Sequence, residues 1–316
     1  MVQSLLAPGL VQAVPGMKAV IWRSEAALLG LFWAVCRRLP PEQASALGGR
    51  IARWLGPKLR KQRHVLRNLS FVLPEADPGR LEEVSRGMWD NIGRVVAEFA
   101  FLERFQEEGF RHRIEVVDQG GLEAARSRPG ALFVGGHLAN WYLTLFTFHS
   151  AGIEGSVVYS PLRNPYMEAR FAERRRHLPV RFLTVAEASR FMLRELRAGR
   201  SVGLLCDQRY DRGEWVPFFG VPARTAIVPA RIALKLEVPL VPVRIERLGG
   251  LRFRITVHAP EAVPSGGGEE ERARLLAERI NRRFETWIRE RPEQWLCVKR
   301  RFPKSAVPGR AGNRPA

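Results

Sequence analysis

Ala131-Leu-Phe-Val-Gly-Gly-His-Leu-Ala-Asn-Trp-Tyr142 is the stretch on which the reading of the whole chain turns. Four apolar residues bounded by Gly135 and Gly136 have the length of a strand buried on both faces, and the residues from Leu138 onward read as a helix. His137 then stands at the carboxyl end of a strand. In open α/β sheets the crevice beyond that edge is where ligands bind.

Outward from this stretch, strands and helices alternate. Apolar runs over 156–159, 180–183, 202–206, 240–245 and 253–257 read as strands, and helical patterns cover about 166–176, 186–198, 227–236 and 269–289. Such alternation predicts an α/β fold with a central, mostly parallel sheet flanked by helices. Upstream, Leu81, Val84, Met88, Ile92, Val95 and Phe99 recur every three or four residues, which predicts a long amphipathic helix over 80–103 packed on the core. The expected organisation is an amino-terminal helical region over 1–70, an α/β domain over 71–302 with its core at about 110–302, and a tail over 303–316. That tail is rich in Pro, Gly and basic residues, and disorder is expected of it.

The 316 residues carry 51 Lys and Arg against 32 Asp and Glu, a formal charge of +19, which suits nucleic acid, an anionic membrane or a phosphorylated substrate. No zinc-finger spacing or RNA-recognition motif accompanies the charge, so nucleic acid is not expected as a partner. Cys36, Cys206 and Cys297 lie far apart in sequence, and neither a disulfide framework, a metal nor a bound cofactor is expected. The apolar run 26–35, flanked by Arg23, Glu25, Arg37 and Arg38, is shorter than the roughly 20 residues a span requires and reads as monotopic. No small-residue cleavage site follows it, which disfavours a secretory signal. Lys58, Arg60, Lys61, Arg63 and Arg67, interleaved with Leu59, Val65, Leu66 and Leu69, suit either a membrane-facing surface or an ordinary helix with a solvated basic face. Together with the 26–35 run they point to a membrane surface.

Three strand ends carry polar groups: His137 after the first, Tyr159 through Arg163 after the second, and Asp207-Gln208 after the run 202–206. Neighbouring strands would bring these groups into one cleft. Singly, His137 also reads as a structural histidine, Asp207 as a turn or cap and Arg163 as a surface charge.

Several ordered motifs add to this. Gly135-Gly-His-Leu-Ala-Asn-Trp141 resembles the histidine motif of the bacterial lipid A biosynthesis acyltransferases, the family of lauroyl and myristoyl transferases within the lysophospholipid acyltransferase-like superfamily. Tyr159-Ser-Pro-Leu-Arg-Asn-Pro165 resembles that family's second block, and Cys206-Asp-Gln208 with Pro217-Phe-Phe-Gly220 and Thr225 resembles its third. Arg291-Pro-Glu-Gln-Trp-Leu296 with Lys299-Arg-Arg301 is similar to its closing signature. Asn68-Leu-Ser-Phe-Val-Leu-Pro74 and Glu98 resemble its amino-terminal part, so the likeness runs over about residues 23–302.

The resemblance implies a glycerolipid acyltransferase-like fold on the cytoplasmic face of a bacterial inner membrane, monotopic or peripheral. It implies transfer of a fatty acyl chain from acyl carrier protein, or acyl-CoA, to a hydroxyl of a lipid A precursor or related lipid. His137 would act as general base with no covalent intermediate, and amides opening the helix after Gly136 would face the oxyanion. Asp207 would support the histidine or contact substrate. Arg163 is the candidate phosphate contact, Asn140 and Tyr142 form the lip of the site, and Tyr159 and Gln208 complete the substrate-binding set. Phe218, Phe219 and Gly220 read either as an acyl-chain channel or as core, and Arg291, Glu293 and Gln294 either as a helix stop or as site residues.

Two positions depart from the family pattern. Where the family places Asp or Glu, five positions after the histidine, Tyr142 stands, and a phenol brings no charge near neutral pH. Where the second block carries Arg after its tyrosine, Ser160 stands. Three explanations of Tyr142 are open: Asp207 takes over the carboxylate's role, the enzyme is slower or uses another acceptor such as a lysophospholipid, or the chain is a catalytically impaired lipid binder.

Overall fold

A computed structural model describes residues 17–127 and 130–309. Ahead of the sheet come α1 (Met17–Arg38), α2 (Pro41–Leu55), α3 (Gln62–Val72), α4 (Pro78–Glu98) and the single turn α5 (Glu108–Arg111). Then follow β1 (Ile114–Asp118), α6 (Gly121–Ser127), β2 (Leu132–Gly135), α7 (Thr144–Ser150), β3 (Gly155–Tyr159), α8 (Pro165–Arg175), β4 (Arg181–Thr184), α9 (Ala188–Arg197) and β5 (Ser201–Leu205). The chain closes with the hairpin β6 (Glu214–Phe218) and β7 (Val221–Thr225), then α10 (Val228–Leu236), β8 (Leu240–Gly249), β9 (Arg252–Val257) and α11 (Glu269–Glu290).

The apolar run expected as a buried strand is β2, with every residue buried. It lies fourth in a seven-stranded sheet of order β1-β9-β8-β2-β5-β3-β4. All pairings in that sheet are parallel except β8 with β9. β2, β5 and β3 are therefore adjacent and point the same way, so their carboxyl ends share one edge.

Other expectations are corrected. Leu138 does not open a helix: it forms an isolated antiparallel bridge with Trp295, Ala139 adopts a left-handed φ of 44°, and helical geometry begins only at a 3₁₀ turn, Trp141–Leu143. Partners from the closing segment capture this backbone, since Ala139 N–H donates to the Gln294 carbonyl and Leu296 N–H to that of His137, both at 2.9 Å. The long helix stops at Glu98 and tightens into a 3₁₀ stretch, Phe99–Gln106, kinked at Phe101. β1 escapes the apolar reading because it is an edge strand with exposed residues at Glu115, Val116 and Asp118. The β6–β7 hairpin is hidden by Pro217 and Pro222, which face each other in it, and its two-residue turn uses positive φ at Phe219 and Gly220. Phe218 and Phe219 are buried against Phe302, which makes this pair core.

The apolar run 26–35 is part of a 22-residue helix, α1, long and apolar enough to cross a membrane by length and composition. One face carries Ala26, Trp33 and Cys36 into the core, where Trp33 stacks on Phe99. In α3 the apolar residues of the basic stretch also turn inward, with Val65 and Leu69 fully buried. The beginning of the tail is not free either: Arg67 donates to the carbonyls of Pro303, Lys304 and Ala306, and residues 310–316 lie outside the described residues.

α2 and α4 cross where two glycines meet. A Cβ on Gly93 would lie 2.1 Å from the Gly48 carbonyl oxygen, and one on Gly48 would lie 2.3 Å from that of Gly93. Alanine ordinarily favours a helix interior over glycine by about 1 kcal/mol. At this crossing the sign reverses, because the backbones must separate. Gly93→Ala is expected to destabilise the protein by about 1–3 kcal/mol, as overpacking does, and urea denaturation with the unchanged protein alongside checks it.

Candidate active site

Register places the histidine opposite the aspartate. Gly135 of β2 pairs with Leu205 of β5, Cys206 N–H donates to the Gly135 carbonyl at 2.9 Å, and the next residues along the two chains are Gly136-His137 and Asp207. His137 Nδ1 lies 2.7 Å from Asp207 Oδ1. The second carboxylate oxygen accepts from the Trp295 indole, Nε1 to Oδ2 2.9 Å. Asp207 is fully buried, whereas the His137 side chain is 22 % exposed. Burial alone would raise the Asp207 carboxyl, but attraction from His137 and hydrogen bonds from His137 and Trp295 outweigh it and hold the group below its ordinary value.

The tautomer follows. An ionised carboxylate only accepts, so the Nδ1 facing it carries a proton and a neutral ring leaves its lone pair on Nε2. In that tautomer Nε2 is the His137 nitrogen without a proton. Neighbouring thiols are unsuited to nucleophilic attack: burial, reinforced by Asp207, pushes Cys206 up to about 12, and burial raises Cys297 further. The Leu138 and Ala139 amides, expected near the oxyanion, already donate to the carbonyls of Gly136 and Gln294.

The other candidate residues fall into three groups. Asn140 is 1 % exposed and donates from Nδ2 to Glu98 Oε2 at 2.8 Å, so it braces the loop from inside rather than forming the lip. Tyr142 is half-buried, edge-on to Phe99 with ring centroids 4.7 Å apart, and tilted against Trp141. Trp141 in turn meets the His137 ring edge-on at 5.3 Å. Burial raises the Tyr142 phenol, and the charge of the nearby Arg175 opposes this only in part. Arg175 also lies over the Tyr159 ring, 4.2 Å from its centroid, and pairs with Glu168. A cation therefore reaches Tyr159 from α8, two strands over from the histidine with β5 between, although Ser160 stands beside that tyrosine. Gln208 is half-buried next to Asp207, and Arg163 is exposed. The loop holding Arg163 is fixed by Asn164, which caps α8 and donates to the Trp22 carbonyl and to Glu25 of α1.

Beneath the loop lies a buried network whose pairings the sequence does not reveal. Glu98, fully buried, accepts from Ser45 Oγ at 2.6 Å and Asn140 Nδ2, and pairs with both terminal nitrogens of Arg247 at 2.6 and 3.0 Å. Arg247 Nε donates to Asn91, whose own amide donates to the Ala139 carbonyl at 3.1 Å. Gln294 exchanges two hydrogen bonds with the Arg247 backbone, each 2.9 Å. A signal for it was present: Asn91 and Glu98 fall on the apolar stripe of α4, three residues beyond Met88 and Val95, where a polar side chain must find a partner inside. Gln294 likewise belongs to the site's frame and not only to a helix stop, and Trp295 stands with it.

A partly exposed imidazole backed by a buried carboxylate thus stands at the carboxyl edge of a mostly parallel sheet. The sequence matches the bacterial lipid A biosynthesis acyltransferase family over residues 20–304, and the chain belongs to that family; it is a lipid acyltransferase. Among solved structures it is similar to the 1-acyl-sn-glycerophosphate (LPA) acyltransferase PlsC from Thermotoga maritima, with 14 % identity over 84 % of this chain and 97 % of that one and a TM-score of 0.37. No curated protein matches the sequence.

Removing the charge of Glu98 leaves Arg247 as a buried cation without its counter-ion. Glu98→Gln is expected to lower stability by about 3–5 kcal/mol. Pairing it with Arg247→Met recovers part of the loss, because an apolar pair carries no unpaired charge; urea denaturation of the single and double variants checks both statements.

Proposed function

We propose that the protein moves a fatty acyl chain from a thioester donor to a hydroxyl of a phosphorylated lipid A precursor at a membrane surface, with His137 as general base and Asp207 as its carboxylate. The observation that carries this reading is the 2.7 Å contact between His137 Nδ1 and Asp207 Oδ1, which supplies the charge that Tyr142 does not. His137 Nε2 takes the proton of the acceptor hydroxyl as its oxygen attacks the thioester carbonyl. The tetrahedral intermediate then expels the thiolate, the C–S bond breaks, and the imidazolium returns the proton to sulfur. Acyl carrier protein is the proposed donor, with acyl-CoA the alternative tested beside it. Arg163, exposed at the same sheet edge, is proposed to meet an acceptor phosphate, and Tyr142, Tyr159 and Gln208 to wall the cleft.

The membrane reading rests on a surface. Val20, Leu28, Leu31 and Val35 are exposed on α1 at spacings of eight, three and four, which puts them on one helical face opposite the packed one. Ile51, Trp54 and Leu55 are exposed on α2, Trp54 at 67 %, with the Lys58 ammonium 3.4 Å from the Trp54 ring centroid. Apolar residues bordered by Lys58, Arg50 and Arg53 suit the interface of an anionic bilayer. The protein is proposed to lie there monotopically, on the cytoplasmic face of the inner membrane, with the region up to residue 70 as the attaching part.

Two measurements test this. Acyl transfer by purified protein from labelled acyl carrier protein thioester or acyl-CoA to a lipid A precursor in detergent is expected with the unchanged chain and absent from folded His137→Ala. Asp207→Asn is expected to lose about 10²–10⁴-fold, the range of a lost general-base arrangement, and Tyr142→Glu to bring no gain, since Nδ1 is already occupied. Transfer to a lysophospholipid alone would overturn the acceptor, and undiminished transfer by His137→Ala would overturn the base. In flotation with vesicles containing anionic phospholipid, Leu31→Asp with Trp54→Asp is expected to remain at the bottom of the gradient while the unchanged protein floats.

A further inference from the structure

Trp295 stands where the closing segment crosses the histidine loop. On one side its indole N–H meets Asp207 Oδ2 at 2.9 Å, and on the other its backbone forms the bridge with Leu138. The residues flanking it reach the same loop: the Gln294 carbonyl accepts from Ala139, and Leu296 N–H donates to the His137 carbonyl. The indole is 1 % exposed and packed edge-on to Phe218, so its ring has a fixed seat. One short segment thus touches the histidine's backbone and the aspartate's side chain by separate bonds.

The physical need is specific. A fully buried carboxylate bound only by His137 would leave its second oxygen without water or donor, a costly arrangement. With a donor on each oxygen the carboxylate plane cannot turn, and Oδ1 stays in line with Nδ1. Each donor also draws charge from the carboxylate, so the indole sets how strongly Asp207 favours the imidazolium over the imidazole.

We propose that Trp295 is a positioning residue of the acyl transfer: through its Nε1–H it holds Asp207 so that His137 keeps its proton on Nδ1 and offers Nε2 to the acceptor hydroxyl. This rests on the assignment of His137 and Asp207 above. Phenylalanine at this position keeps an aromatic ring and lacks the donor. 3-Benzothienylalanine keeps the bicyclic shape, with sulfur in place of N–H, and serves if Trp295→Phe does not fold.

The test is the pH dependence of kcat/KM for acyl transfer, measured beside thermal melting. Losing the donor makes Asp207 a stronger base and the imidazolium more stable, so the acid limb is expected to move up by about half to one pH unit. At the plateau kcat is expected to fall about tenfold, with KM little changed. In an Asp207→Asn background the same replacement is expected to change kcat by no more than about twofold, because the indole acts through the carboxylate. A uniform loss at every pH with the acid limb unmoved, or an equal loss in both backgrounds, would mark Trp295 as packing only and overturn the proposal. Full activity in Asp207→Asn would instead overturn the dyad itself, and the two failures are told apart by that single variant.

Discussion

The fully buried pair of Glu98 and Arg247 is the constraint on which the arrangement of the site depends. Desolvating two charges is expensive, and such a pair is tolerated only when its remaining donors and acceptors are also met. Here they are met by groups from five separate parts of the chain: Ser45 on α2, Asn91 on α4, Asn140 in the histidine loop, the carbonyl of Gly250 after β8, and Gln294 through the Arg247 backbone. Because no member can shift without stranding another, the amino-terminal helices, the loop and the closing segment are locked to one point. The net contribution to stability can be small. The contribution to specificity is that the loop is tied at Ala139 and Asn140 to one point of the network.

That lock explains a conformation that would otherwise be costly. Ala139 sits in the left-handed region, which disfavours a residue with a Cβ by roughly 1–2 kcal/mol. Its N–H is held by the Gln294 carbonyl and its carbonyl by Asn91, so both backbone groups are anchored to the network on either side of the strained torsion. The strain turns the chain immediately after His137, before a helix can start, and leaves the imidazole at the sheet edge facing Asp207.

How much of this the sequence discloses depends on where the determining contact lies. β2, β5 and the strands beside them are legible because a strand buried on both faces must be apolar throughout, and Gly135-Gly136 marks its end. His137, Asp207 and Tyr159 are legible as strand-end residues for the same reason. Local patterning says nothing of a bond between residue 98 and residue 247, nor of the segment around 295 that keeps a helix from starting at Leu138. The β6–β7 hairpin shows the converse: two prolines argue locally against a strand, yet they face each other where a missing N–H costs little. Only the most apolar part of α1 is legible, because the charges at Arg23 and Glu25 interrupt the run, and Glu25 is in fact buried beside Asn164.

The position of Tyr142 follows from the same geometry. A carboxylate five residues after the histidine would have to reach back across the 3₁₀ turn, whereas one on the adjacent parallel strand lies in register with the histidine by virtue of the ladder itself. Sheet register is set by several backbone hydrogen bonds and tolerates no small adjustment, so an imidazole oriented from the end of β5 is held by the ladder itself. With Nδ1 engaged from β5, position 142 is released from carrying charge. It is free to pack: the tyrosine ring lies against Phe99 and Trp141, near the charge of Arg175, the cation that covers Tyr159. An acidic side chain there would gain Arg175 and face the like charge of Glu168.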